Sequence, residues 1–286
     1  MEGPHHADLP HARPLGLRPR AWTHGDMKMT LPKSADRLGR VIASANPPEG
    51  QVRLSLLNGF ELTGDGGEIH VTMSAQRLLA FLALNDRAVG RLFVAGSLWP
   101  DSTEDHASAN LRSALWRLHS TGWDLVLATR SWMKLAPAIR IDVRDMGQQA
   151  TRLINGSGMR YPGDFVIESL ASDLLPGWYD DWVLNERERL RQLRLHALEA
   201  LCDTLTSLRR FGQAIEAGLA AISADPLRES AWRMLIKAHV AEGNLGEAAR
   251  LYRSFQRRAA EELGVVPSWE LENLLRPQPL PFTPEA

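Results

Sequence analysis

Two stretches of this chain carry the same pattern at an offset of 34 residues. "FGQAIEAGLAAISADP" (211–226) aligns with "LGEAARLYRSFQRRAA" (245–260), so that Gly212 meets Gly246 and Ala214 meets Ala248. A period of that length is one helical hairpin, which cannot bury its apolar stripe alone and must stack on its neighbours. Few folds accept such a constraint. The first hairpin places Leu198, Leu201, Cys202 and Leu205 on its leading helix. Ala214, Gly218, Ala221 and Pro226 then take the second helix and its close. The next hairpin places Trp232, Leu235 and His239 first, then Ala248, Tyr252 and Phe255.

This layout follows the tetratricopeptide pattern, in which small residues stand where antiparallel helices cross closely. Such stacks have no chemistry of their own and usually offer a groove to partners. Cys202 and His239 fall on the packed face, so a core thiol and a packed histidine are expected there rather than a nucleophile or a metal ligand.

A length of 286 residues has room for about two domains. With 44% apolar residues the chain can bury real cores, which excludes wholesale disorder. Its one cysteine excludes an internal disulfide framework and fits a reducing compartment. No apolar run approaches the roughly 20 residues of a membrane span. The basic N-terminus lacks the apolar core of a secretory signal. A cytoplasmic protein without membrane attachment is expected. Net charge is −1. Residues 51–146 hold ten Lys/Arg against ten Asp/Glu, and residues 173–276 hold fourteen against sixteen. Any nucleic-acid surface must therefore be local rather than domain-wide.

Residues 1–50, rich in Pro, His, Gly and Arg, show no sustained period and are expected to be a disordered leader. Histidines 5, 6, 11 and 24 lack metal-ligand spacing, and Met27 and Met29 leave a later natural start open. In "QVRLSLLNGFELTGDGGEIHVT" the alternation of Val52, Leu54 and Leu56 predicts a half-buried strand. "TGDGGE" supplies a turn before a short strand over Ile69–Val71. Too few carboxylates follow Asp65 for a calcium loop. "SAQRLLAFLALN" reads as a helix capped by Ser74, and "RLFVAGSLWP" as a second that Pro100 helps to end. In "DSTED", Ser102 and Asp105 have capping-box spacing for a third helix. "WDLVLATRSWMKLAP" then gives two strands around a turn at Arg130 and Ser131, and "IRIDV" gives another. The order is strands, three helices, hairpin. From about Arg144 the chain is helical, interrupted by the loop "NGSGMRYPGDF". Its sequon at Asn155 carries no expectation.

The third helix, "ASANLRSALWRLHS" (107–120), is unusual. At 100° per residue one arc holds Ala107, Leu111, Ala114, Leu115 and Leu118. The opposite arc holds His106, Ala109, Asn110, Ser113, Trp116 and Arg117. No acidic residue occurs between 106 and 119, whereas Asp101, Glu104 and Asp105 gather just before.

"LLPGWYDDWVLNERERLRQLRLHALEAL" (174–201) closely resembles the start of the bacterial transcriptional activator domain, with "YPGDF" upstream and "EELGVVPSWELENLL" downstream in the expected places. "WPDSTEDHASANLRSALWRL" resembles the winged helix-turn-helix of the same regulators, the Streptomyces antibiotic regulatory protein type. The resemblance covers residues 51–276. It implies an α+β winged helix-turn-helix domain followed by an all-α tetratricopeptide-like domain. Expected divisions are a leader (1–50), a DNA-binding domain (51–143), a helical domain (144–276) and a tail (277–286). No receiver, nucleotide-binding or forkhead-type segment accompanies the pair, so a short, stand-alone member is expected. The DNA-binding half is neutral, whereas many relatives are more basic, and the leader has no counterpart.

The family implies activators that bind repeated sites on double-stranded DNA and work with RNA polymerase; repeated sites suggest two protomers, a homodimer on DNA, which the sequence itself does not specify. In a winged helix the third helix enters the major groove. Asn110 suits adenine and Arg117 suits guanine by paired hydrogen bonds, while Ala109 and Ser113 are small enough for close approach. Arg112 and His119 flank toward phosphates. Trp116 reaches a sugar or a thymine methyl, or packs on the wing. Arg130, Ser131 and Lys134 belong to the wing and suit phosphate or minor-groove contact. In resembling winged helices the loop before helix three faces RNA polymerase, which makes Trp99, Asp101 and Glu104 candidates. Plain helix capping also explains these acids.

An enzyme is not expected. HExxH, GxSxG, GxxxxGK and CxxC motifs are absent, and no cofactor or metal is implied. Asp180 and Asp181 are adjacent, so they point apart and suit a helix start. The competing reading is a tetratricopeptide-type interaction adaptor whose degenerate winged helix no longer binds DNA. A positive strip along helix three and the wing favours the regulator; a neutral or acidic strip favours the adaptor.

Overall fold

The computed structural model describes residues 51–156 and 165–276. The leader with its histidines and two methionines, the 157–164 part of the loop and the 277–286 tail lie outside the described residues. The chain opens with strands β1 (Arg53–Ser55), β2 (Glu61–Gly64) and β3 (Gly67–Glu68), followed by helix α1 (Met73–Ala83). A two-residue strand, β4 (Val89–Gly90), leads directly into α2 (Arg91–Leu98), and α3 spans Glu104–His119. The hairpin is β5 (Val126–Ala128) and β6 (Trp132–Leu135), and β7 (Arg140–Ile141) precedes α4 (Asp142–Ile154).

Strand order in the first sheet is β3-β2-β1-β7, with β7 parallel to β1. The second sheet is β4-β6-β5, antiparallel throughout. Sheets this short gain little from their ladders alone and need apolar helices against them. Leu78 and Leu82 of α1, Val94 and Leu98 of α2, Leu111, Ala114 and Leu118 of α3, and Met133 and Leu135 of β6 all join one buried cluster. Each fully buried leucine contributes roughly 1.5–3 kcal/mol.

Several local expectations shift. The strand expected over Ile69–Val71 lies at Gly67–Glu68, since only Ile69 continues the ladder, donating to the Leu62 carbonyl at 2.8 Å before the chain turns into α1. That helix starts at Met73 with Thr72 in the cap position, not Ser74. Thr103, not Ser102, caps α3: its hydroxyl accepts from the His106 amide and meets His106 Nδ1 at 2.9 Å. The Ser102 amide is already engaged by the Trp99 carbonyl. "IRIDV" is strand only at Arg140–Ile141. Asp142 ends it by accepting from the amides of Leu56, Leu57 and Val143. Its burial pushes the carboxyl above the usual range, partly offset by those three amides.

The rest is helical: α5 (Phe165–Ala171), α6 (Asp181–Ser207), α7 (Phe211–Ala224), α8 (Glu229–Glu242), α9 (Leu245–Leu263) and α10 (Trp269–Asn273). As the repeat requires, Leu198, Leu201, Cys202, Leu205, Ala214, Ala221, Trp232, Leu235, His239, Ala248 and Phe255 are buried, and Tyr252 is half-buried. Gly218 marks a close crossing, because a Cβ there would lie 3.0 Å from Leu235 Cβ on α8. Gly212 and Gly246, which also align, would meet nothing within 4 Å. Asp180 and Asp181 do stand at a helix start, that of α6.

The sheets and the helices through α7 share one core, and a second cluster of Trp232, Leu235, Ile236, Ala248, Leu251, Phe255, Ala259 and Leu271 joins α8, α9 and α10. Leu57 and Leu174 form a β-bridge, and the Leu175 amide donates to the Leu56 carbonyl at 2.8 Å. Arg187 donates to the carbonyls of Leu174, Leu175 and Trp178, which fixes the turn ahead of α6. Arg77 on α1 pairs with Asp180. Phe81 meets Trp182 edge-on at 5.3 Å, and Phe60 stacks on Trp178 at 6.2 Å. These contacts hold α1, and through it α2 and α3, in place against the helical part.

Candidate nucleic-acid interface

The polar arc of α3 faces solvent. Asn110, Arg112, Ser113, Trp116, Arg117 and His119 are all exposed, while Ala107, Leu111, Ala114 and Leu118 are buried. Leu115 and Ala109 lie between these extremes. Asn110, Ser113 and Arg117 are spaced at three and four residues and so form one stripe. The Ser113 hydroxyl donates to the Ala109 carbonyl at 3.1 Å, which leaves its oxygen free to accept only. Trp116 is 70% exposed, so it does not pack against the wing.

The wing is the turn between β5 and β6, tied by one hydroxyl. Thr129 Oγ1 accepts from the amides of Ser131 and Trp132, and the Thr129 amide donates to the Trp132 carbonyl at 2.7 Å. Arg130 and Ser131 stand exposed at its tip, and Lys134 is half-buried on β6. Of the loop candidates, Asp101 and Glu104 are exposed. Trp99 instead packs half-buried against the core.

Pairing of β4 with β6 places the first turn of α2 beside the wing. Between α2, α3 and the wing lies an open cleft of about 460 Å³, lined by Arg91, Arg112 and Arg130 together with Phe93, Trp132 and Gly90 among others. Its lining contains three arginines and no acid. The pattern reading missed Arg91, Phe93 and Trp132. "AVGRLF" shows no strand alternation, and only the long-range pairing of Val89 with Met133 brings it to the wing.

Residues 149–276 match the model of the family described as "Bacterial transcriptional activator domain". The chain is 31% identical over 230 residues to regulatory protein AfsR of Streptomyces griseus, covering 73% of this chain and 23% of that one. It is 26% identical over 239 residues to regulatory protein AfsR of Streptomyces coelicolor (strain ATCC BAA-471 / A3(2) / M145), covering 79% and 24%. The chain thus spans about a quarter of the length of these relatives. Among solved structures, Mycobacterium tuberculosis EmbR in complex with a low affinity phosphopeptide is similar in fold. The TM-score is 0.63 at 22% identity, over 79% of this chain and 64% of that one. No helix of the described residues is long and apolar enough to cross a membrane.

Proposed function

We propose that this chain, of the Streptomyces antibiotic regulatory protein type by its winged helix-turn-helix and bacterial transcriptional activator domain, is a sequence-specific DNA-binding regulator that activates transcription from the cytoplasm. The observation that carries the reading is the acid-free exposed stripe of α3 beside a cleft whose lining holds three arginines and no acid. On a chain of net charge −1, that concentration of cations on one face is what polyanion binding requires.

α3 lies in the major groove with Asn110 and Arg117 on base edges, Ser113 accepting from a base or a bridging water, and Trp116 against a sugar or a thymine methyl. Arg112, His119, Arg130, Ser131 and Lys134 hold the backbone. DNA binding belongs to residues 51–143 and the helical repeats to 144–276. Repeated sites engage two protomers, whose second set of contacts raises the affinity that one neutral domain supplies. Asp101 and Glu104, with the half-buried Trp99 nearby in the same loop, form the surface offered to RNA polymerase. The interaction adaptor remains the alternative, and it requires that α3 and the wing bind no DNA.

A gel-shift against DNA upstream of the protein's own gene tests the reading. The protein is expected to retard that fragment in preference to a scrambled one. Arg117→Ala is expected to lose about 1–3 kcal/mol of discrimination, roughly 5- to 150-fold. Retardation of neither fragment would favour the adaptor.

A further inference from the structure

Arg91 is held in place from two sides. Its amide donates to the Ser131 carbonyl at 2.9 Å, and its Nη1 donates to the Thr129 carbonyl at 3.3 Å. It therefore ties α2 to both ends of the wing turn. Among the described residues Arg91, Arg112 and Arg130 form no ion pair with a carboxylate, although most other ordered arginines do. Three guanidiniums thus share one cleft without a counter-charge, and α2 has no acid in its first turn. Burial first, and the neighbouring Arg112 second, weaken the hold of Arg91 on its proton. Arginine forks match tetrahedral oxyanions with paired hydrogen bonds. Phe93 at 63% and Trp132 at 50% exposure add apolar surface suited to the sugar beside such an anion.

We propose that Arg91, Arg112 and Arg130 form one seat for a single backbone phosphodiester of bound DNA, and that Arg91 both contacts that phosphate and positions the wing. This rests on the DNA-binding reading above. Arg91 has no role in base recognition; it makes wing placement and backbone contact a single event. Because the three cations share one phosphate, their effects on counterion release are not additive.

The test is the salt dependence of binding to a short random-sequence duplex, since non-specific affinity is set by phosphate contacts. Arg91→Gln, Arg112→Gln and Arg130→Gln are each expected to reduce the log–log slope measurably, by up to about one unit. The triple variant is expected to lose about one unit, not about three. One unit means that affinity falls about fourfold less between 50 and 200 mM salt. Arg91→Lys keeps the charge and is expected to restore the slope, which a purely structural role of the side chain would not do. Arg253→Gln, exposed on α9, is the control and leaves the slope unchanged. An unchanged slope for Arg91→Gln, or a loss of about three units in the triple variant, would overturn the shared seat while leaving DNA binding intact. Absence of duplex binding by the unmodified protein would sink the DNA-binding reading and the seat with it. A parallel thermal-shift titration with inorganic phosphate separates sources. Arg91-dependent protection together with an unchanged duplex slope would assign the cleft to a small free anion and refute the backbone seat.

Discussion

Replacing Gly218 by alanine adds one methyl group where α7 and α8 cross. The new Cβ would lie 3.0 Å from Leu235 Cβ, 3.1 Å from its Cδ1 and 3.3 Å from its Cα. The first two contacts could ease by a rotamer change of Leu235, but the Cα moves only with α8 itself. Leu235 is fully buried, so neither rotamer nor helix has free space to take up. Overpacking of this kind costs about 1–3 kcal/mol. Against it stands the helix propensity of alanine over glycine, about 1 kcal/mol. The backbone contact places the cost in the upper part of its range, and the net expectation is a loss of about 1–2 kcal/mol. Gly212→Ala is the internal control, since a Cβ there meets nothing within 4 Å and is expected to stabilise by up to about 1 kcal/mol. Thermal unfolding by circular dichroism reads both, at roughly 2–4 °C per kcal/mol for a protein of this size. If Gly218→Ala were as stable as the parent while Gly212→Ala gained, close helix approach would not be what requires glycine at 218.

Three further outcomes follow from buried polar groups. Cys202 is fully buried, and desolvation pushes its thiol up to about 12, so Ellman's reagent near pH 8 is expected to leave it unmodified until denaturant is added; prompt reaction of the native protein would contradict the packing. Asp142→Ala removes the acceptor of three amides and is expected to destabilise by at least about 2 kcal/mol in urea unfolding. The raised carboxyl pKa of Asp142 sets a sign. The folded state holds this proton more tightly than the unfolded chain, so its contribution is fully present below the ordinary aspartate range and is lost as pH rises through the folded pKa. The stability difference between the parent and Asp142→Asn is therefore expected to shrink over that rise, and a growing difference would reverse the assignment.

What could be read from the sequence were the features written in local spacing. The apolar stripe of α3, the β5–β6 hairpin and the 34-residue repeat are each written in regular spacing along the chain, so periodicity located them. Boundaries that depend on partners were harder to place. Thr103 rather than Ser102 caps α3 because a bond from the Ser102 amide to Trp99 fixes the register one residue later. β4 has only two residues and exists because β6 is there to pair with it. Arg91 carries no local mark of function, and its place beside Arg112 and Arg130 comes entirely from that pairing. The same holds for Asp142, which serves amides 85 and 86 residues upstream, and for Arg194, buried beside Asp173. Of the residues proposed to meet DNA, the α3 stripe with Arg112, Arg130 and Ser131 was legible, and Arg91, Phe93 and Trp132, which complete the cleft, were not.

The central claim, that α3 reads base sequence, is tested most directly by selecting bound duplexes from a random library with the parent protein and with Arg117→Ala. The expected result is a repeated motif for the parent and, for the variant, the same motif with guanine preference relaxed at one position of each repeat. That relaxation corresponds to about 1–3 kcal/mol and should leave the salt dependence nearly unchanged. Enrichment of no motif by the parent, or an identical motif from both proteins, would contradict it.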